Sequence, residues 1–380
     1  MKESTINKEK LNIAMFGHKR IPSREGGVEI VVEELATRMV EKGHSVTCFN
    51  RSGHHVAGIE FDADKKKEWK GVKIVNVLTI NKRGLAAVTS SFFASIKSAF
   101  GKYDVVHIHA EGPAFMCWLP KVMGKKVIVT IHGLDWARAK WGKFASWYIK
   151  SGEKNAVKYA DDIIVLSSSV QKYFKDKYGI ETRFIPNGVN QAVITEADEI
   201  RKSWGLEKDS YILYLGRIVP EKGEKYLIEA FKKVKTDKKL VIAGGSSDTD
   251  TFMEELKKMA KEDERIVFTG FVQGKILQEI YSNAYIYCLP SDLEGMPLSL
   301  LEAMSYGNCC VVSNIPECTE VVEDKAVVFE KANIDDLREK LQSLCENKET
   351  VETYKYQAAN FILKKYGWND VVEKTMKLYR

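Results

Sequence analysis

The chain is 380 residues long, more than one hydrophobic core of ordinary size fills, so two domains are expected. Its net charge of +6 is unevenly divided: up to Asn190 there are 31 Lys+Arg against 19 Asp+Glu (+12), and beyond it 27 against 33 (−6). A basic first half suits an anionic partner such as phospholipid or a lipid diphosphate, and with no nucleic-acid-binding motif beside it a nucleic-acid partner is not expected.

Seven cysteines (Cys48, Cys117, Cys288, Cys309, Cys310, Cys318, Cys345) are odd in number, scattered through apolar segments and without a C-x-x-C pair. They read as reduced core thiols of a cytosolic protein. Met1 to Lys10 is polar and mixed in charge, so neither a secretory signal nor an anchor is expected there. No apolar run approaches the roughly 20 residues of a membrane span. The expected location is the cytoplasm, and the basic half leaves open a peripheral attachment to the inner face of the membrane.

Leu11 to Gly17 has a buried-strand pattern, and an amphipathic helix from Val28 to Lys42, closed by Gly43, follows the loop between them. That is the opening of a Rossmann-like domain. In the loop, Gly26-Gly27 permits close backbone approach and unusual φ values, with a plain tight turn as the even alternative. Arg20 and Arg24 make the same loop basic. Further strands are expected over 45–49, 72–77, 105–109, 127–131 and 159–166, and their alternation with helical stretches argues for a parallel sheet covered on both faces.

The strand ending at Ile131 delivers His132 at its carboxyl end, where open α/β sheets place their ligands. His107 and His109 alternate on one strand, and only His109 is expected to face the ligand side. From Trp136 to Lys150, aromatic residues at helical spacing interleave with Arg138, Lys140, Lys143 and Lys150. This predicts either an interfacial helix on anionic lipid or an ordinary helix with its aromatics turned inward. Pro186-Asn187-Gly188 is a strong turn signal and ends the first domain.

The second half opens with the strand Tyr211 to Leu215, followed by Gly216, Arg217, Lys222 and Gly223. An Arg and a Lys five residues apart in such a loop are placed to converge on one phosphate group, as a planar fork and a mobile point charge. Two further strands end in Gly244-Gly245 and in Phe271-Val272. The apolar run Tyr285 to Leu289 ends at Pro290, and after a turn-rich stretch Pro297 is expected to begin a helix that Gly307 closes. A helix start of this kind suits an anion. Glu294 lies before the helix and Glu302 within it. The closing helices are expected over 334–345 and 351–379.

Glu294-Gly295-Met296-Pro297-Leu298, followed by Glu302, resembles the Glu-x7-Glu signature of retaining glycosyltransferases of family 4, of the bacterial surface-polysaccharide type. Leu215-Gly216-Arg217-x4-Lys222-Gly223 resembles that family's pyrophosphate clamp. The resemblance implies an α/β GT-B fold, two Rossmann-like domains with parallel sheets facing across a cleft. The expected boundaries are 1–190 for an acceptor-binding domain, 191–360 for a nucleotide-sugar-binding domain, and 361–380 for a last helix that returns to the first domain near Trp368. It implies catalytic roles for His132, Arg217, Lys222 and Glu294. Donor contacts are implied for Gly26, Gly27, Gly216, Gly244, Phe271, Val272, Gly295, Met296, Pro297, Leu298 and Glu302. Acceptor contacts are assigned to His109, Arg20, Arg24 and Trp136. The expected partners are a nucleotide sugar, a glycan or lipid-linked acceptor, and an anionic membrane surface.

Asp-x-Asp strings at Asp62-Ala63-Asp64 and Asp248-Thr249-Asp250 follow no apolar strand of the kind a metal-diphosphate site uses, so they read as solvated loops. No metal or other cofactor is expected. The alternatives are an epimerase or a phosphorylase on the same architecture, against which the two-glutamate segment argues, and a non-catalytic sugar-nucleotide-binding scaffold, against which the survival of every clamp residue argues.

Overall fold

Val105–His109 and Lys126–Ile131 are buried along their length apart from a partly buried Lys126, as a parallel sheet covered by helices on both faces demands. They lie in the first of two sheets in the computed structural model, which describes residues 9–53, 66–82, 84–137, 142–245 and 250–380. The chain divides into two units, one built from the residues up to Gly188 together with Trp368–Arg380, the other from Val189–Gly367. Asp62, Asp64, Asp248, Arg138 and Lys140, singled out above, lie outside the described residues.

In the first unit the strands are β1 (Asn12–Phe16), β2 (Ser45–Arg51), β3 (Glu68–Trp69), β4 (Val72–Val77), β5 (Val105–His109), β6 (Lys126–Ile131), β7 (Asp162–Val165) and β8 (Arg183–Phe184). Their order is β3-β4-β2-β1-β5-β6-β7-β8, parallel except where β3 meets β4. Among the described residues six α-helices intervene: α1 (Gly27–Glu41), α2 (Leu85–Phe100), α3 (Glu111–Ala114), α4 (Trp118–Val122), α5 (Lys143–Tyr159) and α6 (Ser168–Tyr178). Phe16, Val106, Ile108, Val129, Ile131 and Phe174 belong to the core of this unit. The strand order turns back on itself between β1 and β5, which makes the ends of those two strands the switch point.

The second unit begins with α7 (Glu199–Trp204), β9 (Tyr211–Leu215) and α8 (Glu224–Lys232), then β10 (Lys239–Ala243), α9 (Asp250–Ala260), β11 (Ile266–Gly270) and α10 (Gly274–Ser282). It continues through β12 (Ile286–Leu289), α11 (Leu298–Ser305), β13 (Cys309–Ser313), α12 (Pro316–Val322), β14 (Val327–Phe329), α13 (Ile334–Glu346) and α14 (Lys348–Lys365). The sheet is all parallel in the order β11-β10-β9-β12-β13-β14, so its switch point falls between β9 and β12.

The last helix, α15 (Trp368–Tyr379), belongs to the first unit, where the Tyr379 hydroxyl lies 2.6 Å from His107 Nδ1. The helical run expected over 351–379 breaks before Trp368, where the return to the first unit was expected, because Tyr366 and Gly367 leave helical geometry: the Val189 amide donates to the Tyr366 carbonyl at 2.7 Å, and Val189 and Gly367 form a β-bridge. The strand expected over 159–166 is shorter as well. Helix α5 continues through Tyr159, and Ala160 turns the chain into extended geometry before β7.

Candidate active site

In the second unit the sequence after β9 and the sequence after β12 meet at the switch point. Gly223 holds them together. Its φ of +74° is left-handed, and a Cβ there would collide with the Pro290 carbonyl oxygen. The Asp292 amide donates to the Glu221 carbonyl at 2.9 Å, a second tie between the same loops. Gly244 has the corresponding role beside β10: a Cβ on it would overlap the Gly216 carbonyl, while the Gly216 amide donates to Ala243 and the Ile218 amide to Gly245.

Across this junction Lys222 Nζ lies 2.5 Å from Glu294 Oε1, with the two side chains 14% and 6% exposed. Ser291 Oγ donates to the same carboxylate oxygen at 2.7 Å, and the Ser313 hydroxyl fixes Ser291 through its carbonyl. Glu294 is therefore aimed by two donors, and Lys222, with three N–H groups, keeps donors to spare for an anion. Arg217, partly buried, sits on the same loop. Its carbonyl accepts from the Tyr214 hydroxyl at 3.0 Å.

That loop is braced by Glu224, which is fully buried. Glu224 Oε1 lies 2.8 Å from the Tyr214 hydroxyl and accepts from the Val219 amide. Burial pushes the Glu224 carboxyl up to about 8, so it is mostly protonated at neutral pH. Glu224 Oε1 accepts from both the Tyr214 hydroxyl and the Val219 amide, and Tyr214 shares its one proton between Glu224 and the Arg217 carbonyl. This brace was not read from the sequence.

Pro297 takes the cap position of α11 rather than its first helical residue, and the helix start has no side-chain cap. Met296 and Leu298 are each 8% exposed, so the turn is lined by apolar side chains around its amides. Glu302 lies one turn into the helix, its Oε2 within 3.4 Å of the Tyr281 hydroxyl. Gly295 and Phe271 are partly buried and Val272 is buried. Among the described residues no group of three or more His, Cys, Asp or Glu side chains is disposed to hold a metal ion.

In the first unit His132 follows β6, and its Nε2 lies 3.1 Å from His109 Nδ1. His109 is fully buried, stacked on His107 at a centroid distance of 4.2 Å, and its Nε2 meets no partner. Burial holds both imidazoles well below their ordinary pKa, so both are neutral. His109 is therefore enclosed beneath His132 and not displayed at the surface.

Arg20 is also enclosed, 9% exposed and donating to the Gly53 carbonyl, whereas Arg24 is exposed. Trp136, partly buried, donates from its indole N–H to Glu153 at 3.1 Å. Gly26 caps α1 with φ −160°, an extended conformation open to any residue, and Gly27 begins the helix. The glycine that the first turn requires is Gly17 instead: its φ is +114°, and a Cβ there would strike the His109 carbonyl.

Sequence models of two families match in tandem, Glycosyltransferase Family 4 over residues 25–193 and Glycosyl transferases group 1 over residues 196–361. An uncharacterized glycosyltransferase of Methanocaldococcus jannaschii is 25% identical over 97% of this chain and 98% of its own. The UDP-Gal:alpha-D-GlcNAc-diphosphoundecaprenol alpha-1,3-galactosyltransferase of Escherichia coli is 29% identical over 56% of this chain and 58% of its own. Among solved structures, Anabaena HepE in complex with UDP and glucose matches with a TM-score of 0.80 at 15% identity, covering 97% of this chain and 98% of that one. With both units matched, each to its own family model, the chain belongs to the GT-B glycosyltransferases of the family 4 type.

Proposed function

We propose that this glycosyltransferase moves a hexose from a nucleoside-diphosphate sugar to a glycan or lipid-linked acceptor, with retention at the anomeric carbon and without a metal, in surface polysaccharide synthesis. The observation that carries the donor half of this reading is the Lys222–Glu294 pair with Arg217 on the same loop, at the switch point of the second sheet and beside the start of α11. Breaking the bond between C1 and the phosphate oxygen puts positive charge on the sugar ring and negative charge on the departing diphosphate. Arg217, Lys222 and the amides of Gly295, Met296 and Leu298 stabilise the second charge. The amides of Gly26-Gly27 are assigned to the same diphosphate by the family resemblance alone.

Glu294 holds sugar hydroxyls, Glu302 accepts from the ribose, and His132 is assigned to the reacting sugar. No carboxylate is given the role of covalent nucleophile, so the acceptor attacks the face the phosphate leaves. The galactosyltransferase relative, whose name specifies UDP-Gal and a diphosphoundecaprenol acceptor, supports both the donor class and the acceptor class. Incubation with a panel of nucleotide sugars is expected to release nucleotide slowly from one of them in the absence of acceptor. Binding without release across the panel would leave a scaffold, not an enzyme.

The acceptor reading extends to an anionic membrane surface. Lys143, Trp147, Lys150, Lys154 and Lys158 recur on one exposed stripe of α5, with Phe144 beside it at 75% exposure. The helix has one acidic residue, Glu153, and it is fully buried. A stripe of lysines and aromatics with no exposed acid suits a helix lying on anionic headgroups. Among the described residues no helix is long and apolar enough to cross a membrane. At about 1 kcal/mol per lysine, the double reversal K150E/K154E is expected to weaken binding to phosphatidylglycerol vesicles at least about tenfold. Vesicles that fail to retain the wild-type protein would exclude this surface.

A further inference from the structure

The segment after His132 rests on two buried carboxyl groups that the donor chemistry does not use. Glu111, at the start of α3, and Glu153, within α5, are both fully buried. Glu111 Oε2 accepts from the Asp135 amide at 2.8 Å. Glu153 Oε2 accepts from the Trp136 indole at 3.1 Å. One carboxyl thus holds the backbone of the segment, and the other holds its side chain.

The platform beneath is tight. A Cβ on Gly152 would strike the Glu111 carbonyl, so α3 and α5 touch backbone to backbone, and Asn155 Nδ2 donates to the Phe115 carbonyl at 2.8 Å.

The charged and titratable neighbours come from every side. Helix α6 supplies Lys177 Nζ at 2.8 Å from Glu153 Oε1, with the hydroxyls of Tyr173 and Tyr178 on the same oxygen. Asp135 approaches Glu111 from the segment itself, and Lys150 of α5 lies 4.5 Å from the centroid of the Trp136 ring. Glu153 is thus surrounded by four donors, whereas Glu111 receives one N–H and its Oε1 receives none from any other group. The two carboxyls nevertheless sit on helices that touch backbone to backbone beside Gly152, and each acts on the titration of the other. Two carboxylates cannot bond; an acid and a carboxylate can.

We propose that Glu111, protonated, donates to an ionised Glu153, and that this acid–carboxylate pair fixes residues 132–136, making both glutamates positioning residues for His132 and Trp136. The direction of each titration agrees. Burial, together with the nearby Asp135 and Glu153, raises the Glu111 carboxyl, while for Glu153 the opposing effect of burial is overcome by the hydrogen bonds of Lys177, Tyr178 and Glu111. The proposal rests on the glycosyltransferase reading only for its catalytic consequence.

The test uses the full-length protein and the variants E111Q, E111A and E153Q, read by amide exchange across 131–137 and by transfer kinetics. Gln at 111 keeps the acceptor for Asp135 and a donor for Glu153, so exchange at the Asp135 amide and kcat/KM are expected to stay within about threefold of wild type. E153Q removes the anion its donors need and is expected to raise exchange and lower kcat at least about tenfold. E111A is expected to do the same, with nucleoside-diphosphate affinity unchanged, because displacement of the segment acts on chemistry and acceptor binding.

Equal losses in E111Q and E153Q, or no loss in either, would overturn the unequal sharing of the proton. Wild-type transfer by E111A despite fast exchange would overturn the positioning role. Because exchange is read without turnover, a wild-type protein that transfers no sugar would count against the glycosyl-transfer reading and leave the carboxyl pair measured.

Discussion

Replacing Arg217 with Ala is expected to lower turnover on the order of 10²-fold or more, the usual cost of removing a group aimed at charge that develops in the transition state. Arg217 is the cleaner position for this measurement. Lys222 pairs with Glu294 at 2.5 Å in a site where the glutamate is 6% exposed, so Lys222→Ala also leaves a nearly buried carboxylate without its partner. Breaking such a pair costs about 3–5 kcal/mol of stability where it is fully buried. A loss in Lys222→Ala therefore mixes catalysis with folding, and the double variant Lys222→Met with Glu294→Gln separates them by removing both charges together. Arg217→Lys keeps the charge but not the planar fork and is expected to fall between wild type and Arg217→Ala. Near-normal turnover in Arg217→Ala, at an unchanged unfolding midpoint, would remove the clamp from the mechanism.

The second large effect is on stability in acid. His18 is buried with its pKa pushed down to about 4, His107 is pushed down to about 3, and His109 lies well below its ordinary value, in each case chiefly through burial. These imidazoles are neutral in the folded first unit but take up protons below about 6.5 when the chain unfolds. Stability is thus fully present above pH 6.5 and is lost as pH falls toward the folded values. Glu111 acts in the opposite sense, because its raised carboxyl is protonated in the fold and ionised in the unfolded chain until about pH 4.5.

Together with His44, whose pKa burial also lowers, these imidazoles outnumber the one opposing carboxyl, so a few kcal/mol, on the order of one proton's linkage or more, is lost per pH unit across this window. That is a large fraction of the roughly 5–15 kcal/mol that holds a domain together. Urea unfolding at about pH 8 and about pH 5, followed by amide exchange in β5 and β6, is expected to show the loss. A first unit equally stable at both values would mean the three histidines titrate normally.

Sequence patterning exposed the local motifs better than it exposed the packing. The Arg217-x4-Lys222-Gly223 and Glu294-x7-Glu302 spacings were legible because each is local, held within one loop or one loop and helix. The apolar strands were legible because a parallel sheet buried on both faces needs continuous apolar runs. The surroundings of the histidines were not legible. His107 meets Tyr379 across 272 positions of sequence, and no local pattern carries that contact.

The first turn was read from Gly26-Gly27, yet the residue under conformational demand is Gly17, whose need comes from the His109 carbonyl on a neighbouring strand. Arg20 looked like a surface cation because a charge within a polar loop usually is one, and here β2 and the residues after it enclose it. Glu111, Glu153 and Glu224 are the same case in acid form. Each is an ordinary surface residue by composition, and only the elements packed around it reveal its burial and its partners.

The central claim is that cations of the second unit bind the donor's diphosphate directly. Calorimetric titration of UDP, GDP, dTDP and ADP into chelator-treated protein and its Arg217→Ala variant addresses it without any knowledge of acceptor or sugar. The account predicts that at least one of the four binds the wild-type protein in the absence of divalent metal, and that the variant binds it at least about tenfold more weakly, as expected for loss of a charged hydrogen-bonding group. Binding that requires added metal, or equal affinity in the two proteins, would contradict it.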